Sequence, residues 1–101
     1  MIVANSIKTA QFLIESRLTD AARGNPQACY DLGIAYSCGT GGVDIDLIEA
    51  HKWFNLAALA GSEEGQALRG EIAEEMTARE IAEAQRQARA WLNATGARNA
   101  A

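Results

Sequence analysis

The chain has 101 residues and a formal net charge of −4, which fits one domain with a single modest core and argues against a nucleic-acid backbone as partner, since phosphate binding needs a basic surface. Hydrophobic residues make up 49% but aromatics only 6%, so close packing through small side chains replaces a wide interior. With one proline, no β-branched alternation and long Ala/Glu/Arg/Gln tracts, the class is all-α with about five helices.

Residues 1–5 are expected to fray. From Ser6 to Arg23, Ile7, Ala10, Ile14, Leu18 and Ala21 recur at three- and four-residue steps and make one apolar stripe. Phe12 and Leu13 fall off that stripe and imply contacts on a second side. Gly24 ends this helix. Asn25-Pro26 opens the next, because the Asn side chain caps orphan N–H groups and Pro at the first helical position lacks the donor that would be orphaned. That helix runs to Ser37 or Cys38, where Gly39-Thr40-Gly41-Gly42 cannot sustain it. Ala28, Leu32, Gly33 and Tyr36 share one side of it, and Gly33, costly inside a helix, implies very close approach of a neighbouring backbone.

Asp46 and Glu49 make a start of the capping-box type, and Gly61 suits the left-handed position after a helix end. On this third helix Ala50, Trp53, Phe54, Ala57 and Ala58 form a surface matching the second helix. Ile48, Leu56 and Leu59 add apolar area elsewhere. A helix apolar on most sides is sandwiched between neighbours, so the third is expected at the centre. Ser62 caps a fourth helix through Met76, with Glu63 and Glu64 where the dipole favours negative charge. Thr77 and Glu80 open a fifth, to about Asn93, with Ile81, Ala84, Ala88, Trp91 and Leu92 inside and Arg79, Glu83, Arg86 and Arg89 outside. The domain therefore spans residues 1–93, and 94–101 reads as a flexible tail.

Shifting the chain by 37 residues places Gly24-Asn25 on Gly61-Ser62 and Gly33 on Gly70, but Leu32 on Arg69 and Tyr36 on Ala73. One complete helix pair, 24–61, is thus flanked by degenerate capping segments at 6–23 and 62–93.

No catalytic, metal or cofactor constellation emerges. Cys29 and Cys38 lie nine residues apart on one helix, roughly 13 Å at ~1.5 Å rise, against the ~7 Å limit for a disulfide. They read as reduced small hydrophobes, consistent with a cytoplasmic address. With His51 they lack the spacing and fourth ligand of structural zinc, so His51 reads as a surface or satisfied core residue. Cys38 and His51 are the nearer thiol–imidazole pair, the basis of a minor reading as a thiol sensor or enzyme, but no oxyanion donor or orienting carboxylate accompanies them. The GTGG turn lacks the strand and lysine of a phosphate loop. Glu71, Glu74 and Glu75 read as a solvated helix face. The first residues lack the pattern of a signal peptide, and no apolar run approaches the ~18 residues of a membrane span.

Ala28, Leu32-Gly33, Tyr36, Gly39, Gly41, Val43, Asp46, Ala50, Trp53, Ala57-Ala58 and Gly61 stand where the Sel-one-like repeat places its signature residues. The segment 24–61 resembles that family, a bacterial and eukaryotic relative of the tetratricopeptide repeat. The extra Gly42 lengthens the turn between the helices, and the chain holds one good copy where the family usually strings many. The resemblance implies an α–α superhelix fragment that binds proteins or peptides as a scaffold, without catalysis. In such a stack the first helix of each pair lines the concave side. Gln27, Tyr30, Ile34 and Ser37 then form a candidate docking stripe, unless the first or fourth helix covers it. The alternative is self-assembly into a homodimer, since stacked repeats usually need about three units; Phe12, Leu13 or the outer side of the fifth helix would then pair across a two-fold axis.

Overall fold

A computed structural model of the chain describes the backbone of residues 2–96 and the side chains of residues 9–96. It contains helices α1 (Ile2–Ala22), α2 (Pro26–Cys38), α3 (Leu47–Leu59), α4 (Glu63–Ala73) and α5 (Ala78–Thr95), with no strand among the described residues.

The helix starts follow local side-chain chemistry. Asn25 Oδ1 accepts hydrogen bonds from the backbone N–H groups of Gln27 and Ala28 at 2.9 and 3.2 Å. Ser62 Oγ accepts from Gly65 N at 2.9 Å. Thr77 and Glu80 complete a reciprocal capping box, at 3.1 and 2.8 Å, and losing any one such cap costs about 1 kcal/mol. Only half of the expected box forms at Asp46, whose Oδ1 accepts from Glu49 N at 3.1 Å. Glu49 does not return the bond; its Oε1 accepts from Trp53 Nε1 at 3.0 Å and pairs with Lys52 Nζ at 3.0 Å. The Asp46 N–H donates instead to Tyr36 O at 2.9 Å, tying the start of α3 to the end of α2.

Three helices close in the same way. Gly24 (φ +85°), Gly39 (φ +70°) and Gly61 (φ +108°) are left-handed. Asn25 N donates to Asp20 O, Thr40 N to Ala35 O and Ser62 N to Ala57 O, at 3.1, 3.0 and 2.9 Å, the six-to-one bond of a Schellman end.

Three boundaries differ from expectation. α1 already includes residues 2–5. α4 stops at Ala73 and not at Met76, because Glu74, Glu75 and Met76 each donate to the carbonyl three residues back. That tighter winding leads into the extended backbone Thr77 needs as a cap. α5 continues past Asn93 to Thr95, where left-handed Gly96 ends it. Ala94 and Thr95 therefore belong to the helix, not to a tail, and 97–101 lie outside the described residues.

α3 packs against α2, α4 and α5, while α1 packs on α2, so the third helix is central as expected. Trp53, Phe54 and Leu32 are the largest fully enclosed side chains. One apolar cluster joins Ala21, Ala28, Cys29, Leu32, Trp53, Leu56, Ala57 and Ala88, and a second joins Ala50, Phe54 and Ile72. A Cβ at Gly33 would lie 2.5 Å from two atoms of the Phe54 ring, so an aromatic face, not a neighbouring backbone, requires glycine there. Gly65 does the same for α4, with Ala57 Cβ 2.8 Å from the position its own Cβ would take. Gly70 faces open space. The 37-residue register thus holds at the caps and at Ala28/Gly65, both buried, and fails at Gly33/Gly70. Phe12 and Leu13, expected to find contacts on a second side, remain 68% and 43% exposed.

Candidate partner-binding surface

The four residues of the candidate stripe share α2, with different accessibility. Gln27 is exposed, and its amide donates to Asp31 Oδ1 at 2.9 Å. Asp31 in turn lies 3.7 Å from Arg17 on α1. Tyr30 and Ile34 are half-buried, leaning on the cluster of Ala50, Phe54 and Ile72, with the Tyr30 and Phe54 rings tilted at 54° and 5.8 Å apart. Ser37 is half-buried, and its hydroxyl donates to Ile34 O at 3.0 Å. Neither α1 nor α4 covers the stripe fully. It presents one edge of two apolar side chains between two polar ends.

Behind the stripe, the signature residues divide by task. Ala28, Leu32, Gly33, Ala50, Trp53 and Ala57 are buried, and Tyr36, Val43 and Ala58 are half-buried. Gly39, Asp46 and Gly61 lie exposed at the turn and helix ends. In the turn, Gly39, Gly41 and Gly42 are all left-handed, at φ +70°, +69° and +84°. Gly41 rests near Ile14, and a Cβ at Gly42 would stand 3.4 Å from Ala10 Cβ. The glycine turn thus lies beside α1.

Sequence reasoning missed a second concavity. An open groove of about 470 Å³ lies over the C-terminal end of α3, lined by Ala21, Cys29, Leu56, Leu59, Trp91 and Leu92 among others. Leu59, read as added apolar packing, is 66% exposed at this groove. No local signal marks the groove, because its walls come from four helices far apart in sequence.

The two cysteines and the histidine of the hairpin differ in exposure and protonation. Burial pushes the Cys29 thiol up to about 11, which keeps it protonated. Cys38 is exposed, so only one of the two cysteines packs as a small hydrophobe. No group of three or more His, Cys, Asp or Glu side chains is placed to hold a metal ion among the described residues.

His51 is neither a surface nor a satisfied core residue. It is 3% exposed, and its Nδ1 has no hydrogen-bond partner among the described residues. Burial, with Arg69 of α4 adding repulsion, holds its pKa below the ordinary value. The unfolded chain then binds a proton more readily than the folded one. Stability is fully present above the unfolded value of ~6.5 and falls as pH drops through it, until the folded imidazole also protonates. Because this is the only histidine, melting curves from pH 7.5 to 5.5 isolate it. His51→Leu is expected to flatten that slope, and an unchanged slope would contradict the burial argument.

Comparison with known families bears on the same hairpin. Residues 26–62 match the family model of the Sel1 repeat, from the first residue of α2 to the cap of α4. No curated protein and no solved structure matches the chain. Sel1 repeats are helical modules of protein interaction and are generally not catalytic.

Proposed function

We propose, from the match of residues 26–62 to the Sel1 repeat, that the chain is a non-catalytic scaffold that docks a segment of another protein along the concave side of α2. The partner lies on Gln27, Tyr30, Ile34 and Ser37. The observation that carries this reading is the position of Tyr30 and Ile34. Both are rooted in the Phe54 cluster yet half open to solvent, so they are apolar anchors whose rotamers are already ordered, which lowers the entropic cost of binding. Free cysteines and the absence of a described helix able to cross a membrane are compatible with action in the cytoplasm.

A photocrosslinking side chain placed at Gln27 tests the reading in the source cells, with the same group at Glu71 as control. The expected result is one protein captured from Gln27 and not from Glu71, and lost when Tyr30→Ala and Ile34→Ala are added to a chain that keeps its helical signal. Identical capture from both positions, or capture that survives the double replacement, would overturn it.

A further inference from the structure

The side of α1 turned away from its apolar stripe holds a shallow cleft lined by Phe12, Glu15, Ser16, Thr19 and Asp20. The 37-residue register gives these positions a counterpart within the chain. Ser16, Thr19 and Asp20 fall on Trp53, Leu56 and Ala57 of α3. On α3 that surface is covered by α5: Ala88, Trp91 and Leu92 pack into the cluster with Trp53, Leu56 and Ala57, and the two indoles meet edge to face at 4.9 Å. On α1 the equivalent surface is open, with Phe12 68% exposed beside it.

Charge then narrows the occupant. Glu15 and Asp20 flank the α1 cleft and make no ion pair among the described residues. α5 exposes Arg79, Arg86 and Arg89 together with Glu80, whose carboxylate accepts from Thr77 N in the helix cap. Arg86 is engaged by Glu83 at 2.6 Å, while Arg79 and Arg89 make no ion pair among the described residues. Two α1 faces brought together would set Glu15 and Asp20 against their own copies, and two α5 faces would oppose arginines. An α1 face against an α5 face satisfies both.

We propose that a second copy of this chain occupies the α1 cleft, with Arg79 and Arg89 on the outer side of its α5 laid over Phe12, Glu15 and Asp20. The surface is separate from the α2 stripe, so the copies associate while the docking stripe stays available. Each copy carries both halves of the contact, so a reciprocal pair closes a dimer and a one-sided contact continues into an open chain.

Sedimentation velocity of the full chain at micromolar concentration tests this. The wild type is expected above the 10.8 kDa monomer mass at ~50 mM salt, and to shift toward monomer at ~0.5 M as the charges are screened. Phe12→Ala, at an exposed site that does not threaten folding, weakens association. So do the pair Glu15→Arg/Asp20→Arg and the pair Arg79→Glu/Arg89→Glu, each by about tenfold or more in dissociation constant. Mixing the two charge-reversed chains one to one restores assembly, because every α1 face then meets an α5 face of opposite sign. A wild type that stays monomeric throughout, assembly indifferent to both reversals, or a mixture that stays monomeric would each overturn the proposal.

Discussion

Trp53→Ala is expected to unfold the protein at room temperature, or to leave it unfolded in very mild denaturant. The indole is 2% exposed and is held from three sides. Its Nε1 donates to Glu49 at 3.0 Å, Lys52 Nζ lies 4.9 Å from the ring centroid, and Trp91 meets it edge to face. Truncation removes the largest enclosed side chain and leaves a cavity between α3 and α5, at a cost of about 3–5 kcal/mol. Glu49 also loses its bond, and the Trp91 ring faces an empty space. A small domain holds only about 5–15 kcal/mol in total, so one substitution removes much of the reserve. Urea titration followed by helical circular dichroism checks it; a midpoint close to wild type would show that the core lies elsewhere. Trp53→Phe, which keeps an aromatic edge against Trp91, should fall between the two.

What the sequence makes legible here is what is decided within about four residues. Asn25, Ser62 and Thr77 act on N–H groups two or three positions ahead, and the chain reads correctly there because no distant residue intervenes. Gly24 and Gly61 are legible for the same reason, since a left-handed residue followed by a cap needs no tertiary partner. The end of α4 is less so: Met76 is a good helix former, and the winding stops early because Thr77 must be extended to start α5. Glu49 is a sharper case. Its spacing from Asp46 suits a capping box, but the Trp53 indole offers its carboxylate a better donor.

The candidate site shows the same division. The α2 stripe follows from helical spacing alone, but how far Tyr30 and Ile34 are sunk depends on Phe54 and Ile72, from helices 20 or more residues away in sequence. The groove beside Leu59 and the unpartnered Nδ1 of His51 are tertiary facts with no local trace. Helical glycines state the problem most plainly. Gly33, Gly65 and Gly70 all sit inside helices and look alike in sequence, yet the first two are demanded by Phe54 and Ala57 while the third touches nothing.

α2 and α3 meet face to face at Gly33, with the Phe54 ring filling the space a side chain would take. By intrinsic preference alone, Ala in place of either Gly33 or Gly70 should stabilise its helix by up to ~1 kcal/mol. At Gly70 nothing opposes that gain. At Gly33 the added methyl would lie 2.5 Å from a ring that is 1% exposed, so overpacking should outweigh the gain and leave a net loss of about 1–3 kcal/mol. The direct measurement is a paired equilibrium denaturation of Gly33→Ala and Gly70→Ala. Opposite signs are expected, a lower midpoint for the first and a higher one for the second. If both variants gained stability, the helices would not be in contact at Gly33, and the docking face built on that hairpin would lose its foundation.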